Sequence, residues 1–88
     1  MRTQKYKIAD LKGMTLQVIA GNKSSFFDIE KVRFSEIPGR DFDLVNGNDS
    51  ISLTDDEFFE LIFDGETVVE RQGIVLYSMF ILDEPKRN

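Results

Sequence analysis

The sequence predicts a small single α+β domain, mostly antiparallel β, with four to six strands in the order β-β-β-β-α-β-β and one helix packed on a curled sheet. Three observations carry that expectation. Short stretches of alternating apolar and polar residues recur along the chain, separated by turn residues. One segment, residues 52–65 (SLTDDEFFELIFDG), has helical periodicity between a start signal and a stop signal. No repeat and no Pro/Gly/Ser-rich linker divides the 88 residues, so 1–88 reads as one unit.

Taken in order, residues 8–13 (IADLKG) admit two readings. They form one helical turn halted by Gly13, or an extended lead-in in which Tyr6 and Ile8 alternate with Lys5 and Lys7. Residues 14–21 alternate Leu16 and Val18 with Thr15 and Gln17, the pattern of a half-buried strand. Residues 22–25 (NKSS) are turn chemistry. Residues 26–37 (FFDIEKVRFSEI) read as a long second strand. Phe27 and Ile29 share one parity and Val32 and Phe34 the other, so a bulge or sharp bend is expected near Glu30 and Lys31, unless both faces are partly buried. Pro38-Gly39 then makes a tight turn.

Residues 41–45 (DFDLV) and 50–53 (SISL) flank residues 46–49 (NGND), a hairpin signal. A four-residue loop pairs Leu44 with Ile51 and Phe42 with Leu53, all on one face. A two-residue Asn46-Gly47 loop sets Leu44 opposite Asp49, so the longer loop is expected.

Thr54 followed by Glu57 is a capping box, which starts the helix at Asp55, and Gly65 ends it. At 100° per residue, Phe58, Leu61 and Ile62 point inward with Phe59 and Phe63 at the edge. The apolar arc spans ~200°, against the ~100° a surface helix needs. Asp56, Glu57, Glu60 and Asp64 occupy the remainder. Residues 66–72 form a strand and Gly73 a turn. Residues 74–82 (IVLYSMFIL) are apolar at both parities and read as a central strand covered on both sides. Residues 83–88 (DEPKRN) are a polar C-terminal tail in which Pro85 stops the sheet. One helix covers one sheet face only, so either the sheet curls toward a barrel or a partner covers the second face.

Composition narrows the function classes. The chain has no Cys and no His, which removes disulfides, thiolate metal sites and catalysis by serine-histidine or cysteine-histidine pairs. Carboxylates, Lys, Tyr, Ser and Thr are left to do chemistry, and a non-enzyme is expected. The six Gly are isolated, so no phosphate-binding loop is present. Residues 41–49 fail the calcium-loop pattern, because Val45 holds the third ligand position and Gly47 comes one residue late. No cofactor and no metal is expected.

Charge is unevenly placed. Residues 1–40 hold eight Lys/Arg against four acids, an excess of +4; residues 41–84 hold one base against twelve acids, an excess of −11. Two binding readings follow. The first is a small acidic protein-interaction module (an inhibitor, adaptor or regulatory subunit) that docks on a basic partner surface, or on a second copy. Its partner-binding residues are Asp56, Glu57, Phe59, Glu60, Phe63 and Asp64, set against the plain alternative of a solvated helix face. The second is binding of nucleic acid or a small anion through Lys5, Lys7, Lys31, Arg33 and Arg40. It is the weaker, because the acidic half repels phosphates.

Residues 1–12 lack the apolar core of a leader, and residues 74–82 are too short to span a bilayer as a helix. A cytoplasmic protein with no membrane partner is expected. In size and composition the chain resembles many phage or mobile-element accessory proteins, with no residue-level motif behind the likeness.

Overall fold

The computed structural model describes residues 3–82; the tail expected at 83–88 lies outside them. A 3-10 turn at Ile8–Leu11 leads into β1 (Thr15–Ala20), β2 (Lys23–Asp28), β3 (Lys31–Phe34), β4 (Phe42–Asn46) and β5 (Asp49–Leu53). Helix α1 (Asp55–Asp64) follows, then β6 (Glu66–Arg71) and β7 (Ile74–Leu82). These seven strands lie in two antiparallel sheets, ordered β2-β1-β7-β6 and β3-β4-β5. The chain is the α+β domain that the sequence predicts, in the predicted element order, with the long second strand divided into β2 and β3.

That division falls where the alternation slips. Ile29 still belongs to the β1 side: its N–H donates to the Met14 carbonyl at 2.8 Å, and its own carbonyl accepts from Gly13 at 2.7 Å. The next N–H, that of Glu30, donates instead to Val45 of β4 at 2.8 Å. One residue therefore transfers the strand from one sheet to the other, turning both Phe27 and Val32 against the core despite their opposite parity. The β4–β5 turn clamps the bend. Asn46 Nδ2 donates to the Asp28 carbonyl and the Gly47 N–H to Glu30 Oε1, both at 2.8 Å.

The turns differ from expectation in length. Leu44 pairs with Ile51 and Phe42 with Leu53, as the burial pattern requires, but Asn46 also pairs with Asp49. The loop is thus two residues, Gly47-Asn48, instead of four. Gly47 takes φ 60 at the first central position, which glycine adopts without steric cost. Likewise Ala20 pairs with Lys23. The first turn is Gly21-Asn22, and residues 23–25 are already strand.

With the second strand bent, the two sheets face each other. Consecutive strands either pair or, for β2 and β3, run on through the bend; β5 and β6 do neither, and β7 returns to pair with β1. Helix α1 sits against both β5 and β6 at this gap. The core is filled by Leu16, Val69 and Met79 from one sheet, Leu44 and Leu53 from the other, and Phe58, Leu61 and Ile62 from α1. Tyr6 and Leu11 of the N-terminal segment complete it. The curling alternative therefore accounts for the wide apolar arc in large part. It does not account for all of β7. That strand is central, but Ile74, Val75 and Leu76 are 64, 56 and 45% exposed, so the expected cover on both faces fails over its first third. The cause is length: β1 pairs only as far as Ser78, and residues 74–77 have β6 alone beside them.

Helix α1 is closed at both ends. Thr54 Oγ1 accepts from the Glu57 N–H at 3.2 Å, and Glu57 Oε1 accepts from the Thr54 N–H at 3.0 Å. At the other end Gly65 takes φ 83 and its N–H donates to Leu61. The Ile62 carbonyl accepts from the N–H groups of both Lys5 and Tyr6 at 3.0 and 2.9 Å. The Lys5 side chain also lies over Gly65. It supplies at the C-terminal end of the dipole the positive charge that the helix itself lacks.

Two substitutions test these closures by urea denaturation. Gly65→Ala has room for its Cβ, the nearest atom being Tyr6 Cε2 at 3.5 Å, so its cost is the left-handed backbone, about 1–2 kcal/mol. Thr54→Ala removes one arm of the box and costs about 0.5–2 kcal/mol. An unchanged midpoint in either variant contradicts the corresponding closure.

Candidate functional site

The residues picked out on α1 do not form one surface. The two sheets hold the helix by its inward residues, and its outer arc divides into two flanks. On the first, Phe59 is 44% exposed and lies 6.2 Å from Phe58 and 6.5 Å from Phe42, centroid to centroid. Phe42 stacks on the fully buried Phe58 at 4.2 Å and also touches Phe34 at 5.6 Å. Phe34 is 80% exposed. It follows the core-facing parity of β3, but it pairs with Phe42 at the last position of the β3–β4 ladder. The four rings form a ledge running from core to solvent at the N-terminal half of α1, and offset ring pairs at these separations favour each other. Ile37 is also exposed, in the loop that follows β3.

Acids border this ledge. Asp55 and Asp56 are exposed and make no ion pair among the described residues. Asp41 caps the helix a second time, accepting the Asp55 N–H on Oδ2 at 2.8 Å.

On the second flank the acids turn toward β6. Glu57 is taken up by structure: Arg71 Nη1 donates to its Oε2 at 2.6 Å and Arg71 Nη2 to its Oε1 at 3.1 Å, and both side chains are largely buried. Arg71 Nη2 also reaches the Ser52 carbonyl of β5 at 3.4 Å. This one guanidinium joins β6, α1 and β5 across the gap in the sheets, and it is the single base of residues 41–84. Burial pushes the Glu57 carboxyl up. The hydrogen bonds from Arg71 and from Thr54, with the Arg71 charge, outweigh burial and hold it below the ordinary 4.5.

Further along, Glu60 Oε1 accepts from Thr67 Oγ1 at 2.6 Å, and Thr67 is almost fully buried. Glu60 and Asp64 face Glu66, Thr67, Val68, Ser78 and Phe80 across a cleft of about 230 Å³. The sequence suggests carboxylates diverging into solvent with no second wall. The structure supplies that wall from β6 and β7, because α1 lies beside the edge strand and not over the middle of the sheet. Phe63, also expected on the docking face, is partly buried and packs against the core.

The five basic residues of the second reading are spread over several elements. Lys5 is at the C-terminal end of α1, and the Lys7 N–H bonds to Asp10. Lys31 and Arg33 share the outer side of β3, but Arg33 Nε is paired with Asp43 at 3.1 Å. Asp43 is 3% exposed and also accepts from Ser52 at 2.6 Å. Burial raises the Asp43 carboxyl, and hydrogen bonds from Ser52, Ser35 and Arg33 more than reverse this, leaving it below the ordinary 3.8. Arg40 donates to the Gly39 carbonyl and lies near enough to Tyr77 for its charge to act on the phenol, which burial holds above 10.

Among the described residues, no group of three or more His, Cys, Asp or Glu is placed to hold a metal ion, and no helix is long and apolar enough to cross a membrane. Compared with family models, with curated proteins and with solved structures, the chain matches none.

The Glu57–Arg71 pair makes a pH-dependent prediction. A carboxyl whose folded pKa is depressed contributes stability above its unfolded value, and that stability is lost as pH falls through the folded one. Stability should therefore decline as pH falls below about 4.5, because Glu57 and then Asp43 protonate in the unfolded chain before they do in the folded one. Arg71→Met leaves Glu57 with only its capping partner and should cost about 1–3 kcal/mol at pH 7. The variant should also lose less on acidification than the wild type. Urea denaturation at neutral and acid pH checks both, and an equal acid slope in the two proteins contradicts the assignment.

Proposed function

We propose that this chain is a non-enzymatic protein-interaction module, acting as an inhibitor, adaptor or regulatory subunit, whose docking surface is the aromatic ledge and the exposed face of α1. The observation that carries this reading is the pair Phe34 and Phe59, two large aromatics open to solvent but braced through Phe42 on the buried Phe58. Aromatic side chains held in place before binding lose little freedom on docking, which is why such groups dominate interface energetics. An apolar ledge beside Asp55 and Asp56 complements a partner surface that is both apolar and basic. The excess of −11 over residues 41–84 steers such a partner in from a distance. On this reading Asp56 and Phe59 face the partner, Phe63 packs against the core, and Glu57 holds the module together.

The test is capture of a partner with the full chain, followed by affinity measurements on variants. Phe34→Ser with Phe59→Ser should weaken the complex about thirtyfold or more while lowering the melting temperature only slightly, since the two rings contact Phe42 and Phe58 but lie outside the core cluster. Asp55→Asn with Asp56→Asn should mainly slow association and flatten its dependence on salt. A partner whose affinity survives both pairs of substitutions docks elsewhere, and the reading fails.

A further inference from the structure

The cleft on the second flank is a separate feature with its own chemistry. We propose that it receives one arginine side chain of the partner protein, an inference that rests on the docking reading above and names what that partner inserts. Size comes first. At about 230 Å³ the cleft falls below the ~300–1,000 Å³ of pockets that enclose cofactors and drug-sized ligands, and it suits a single extended side chain. Its walls then select the type. Val68 and Phe80 offer apolar surface to an aliphatic stem, while Glu60 and Glu66 put carboxylates on two different elements around the same space. A long cationic side chain is the group that combines an apolar stem with a charged head.

Guanidinium fits better than ammonium. The carboxylates approach from the helix on one side and from β6 on the other, and a planar cation with five donors satisfies acceptors on several sides at once. Phe80 lines the same space and brings an aromatic ring to it, and guanidinium groups favour aromatic neighbours. The site is also partly prepared. Thr67, buried beneath it, fixes one oxygen of Glu60, so that carboxylate is oriented before anything binds. The source is a partner protein because Phe59 and Glu60 are adjacent in sequence on opposite flanks of α1. A chain seated on the ledge has only the width of one helix to cross before reaching the cleft.

The experiment titrates the isotopically labelled full chain with N-acetyl-argininamide, and with the citrulline, lysine and norleucine counterparts, following backbone amide shifts. The arginine probe should bind weakly, in the millimolar range typical of a group this small, and shift Thr67, Val68, Ser78 and Phe80. Citrulline, which keeps the shape and loses the charge, should leave them still. Glu60→Gln with Glu66→Gln should weaken the arginine response about tenfold or more, the order of one lost charge-assisted contact. The amide introduced by Glu60→Gln retains an oxygen to accept from Thr67, and an unchanged amide spectrum outside the cleft verifies the fold. Equal shifts with lysine, or shifts that survive the double substitution, overturn the inference. If the probe leaves the cleft untouched while a captured partner still depends on Phe34 and Phe59, the cleft proposal alone falls. If the probe binds but no partner depends on those rings, the docking reading falls, and with it the assignment of the arginine to that partner.

Discussion

One short helix has to close the gap between β5 and β6, and the rest of the structure depends on its seating. The two sheets face each other because a single strand bends between them, so their remaining edges stay apart. Helix α1 fills the opening with Phe58, Leu61 and Ile62, the three inward residues of a ten-residue helix. Its position is over-determined. Phe42 stacks on Phe58 from the β4 side, Arg71 grips Glu57 from β6 while touching β5, and the N-terminal segment bonds to Ile62 from beyond the helix end. A helix this short is marginal alone. Here tertiary contacts on three sides, with a capping box and a left-handed glycine, set both its ends.

Seating a helix in a gap has a consequence for its outer face. A gap is narrower than a sheet, so an apolar arc of ~200° cannot be buried whole. Phe59 is left at the rim, and the ring series through Phe42 to Phe34 turns that remainder into a braced apolar ledge. The same placement at a sheet edge brings Glu60 and Asp64 against β6, where Thr67 and Phe80 shape a cleft. Both candidate surfaces are by-products of how the core was closed. They sit back to back on one helix, one aromatic and one acidic.

Much of this was legible locally. Thr54, Glu57 and Gly65 name the ends of α1 whatever surrounds it, because capping is satisfied within four residues. The parity change between Ile29 and Val32 located the bend, since the side-chain period of a strand is 2 and any slip has to be absorbed by the backbone. The pairing of Phe42 with Leu53 followed from requiring one apolar face. The loop lengths did not follow from turn composition, because the ladder bonds ran one pair further and left glycine in the first central position. The cleft was invisible for a different reason. Its walls come from residues 60–68 and 78–80, and no pattern within either stretch says that they meet. One hint was available: Val68 stands between Glu66 and Glu70 on the outward parity of β6, an apolar residue where a solvated face calls for a polar one.

By itself the amino-acid sequence determined the element order, the ends of the helix, which of its residues face inward, and the removal of histidine and cysteine chemistry. Each of these rests on interactions between residues a few positions apart or on composition. Only the tertiary structure decided what the charges do. Glu57 read as the capping residue and as one more acid of the docking face until Arg71, fourteen residues away, claimed it. Arg33 looked like a free cation until β4 placed Asp43 beside it. The reason is range: capping and periodicity act over one turn or one pleat, while an ion pair needs two side chains within 4 Å, and which side chains come that close is settled by the packing of the sheets.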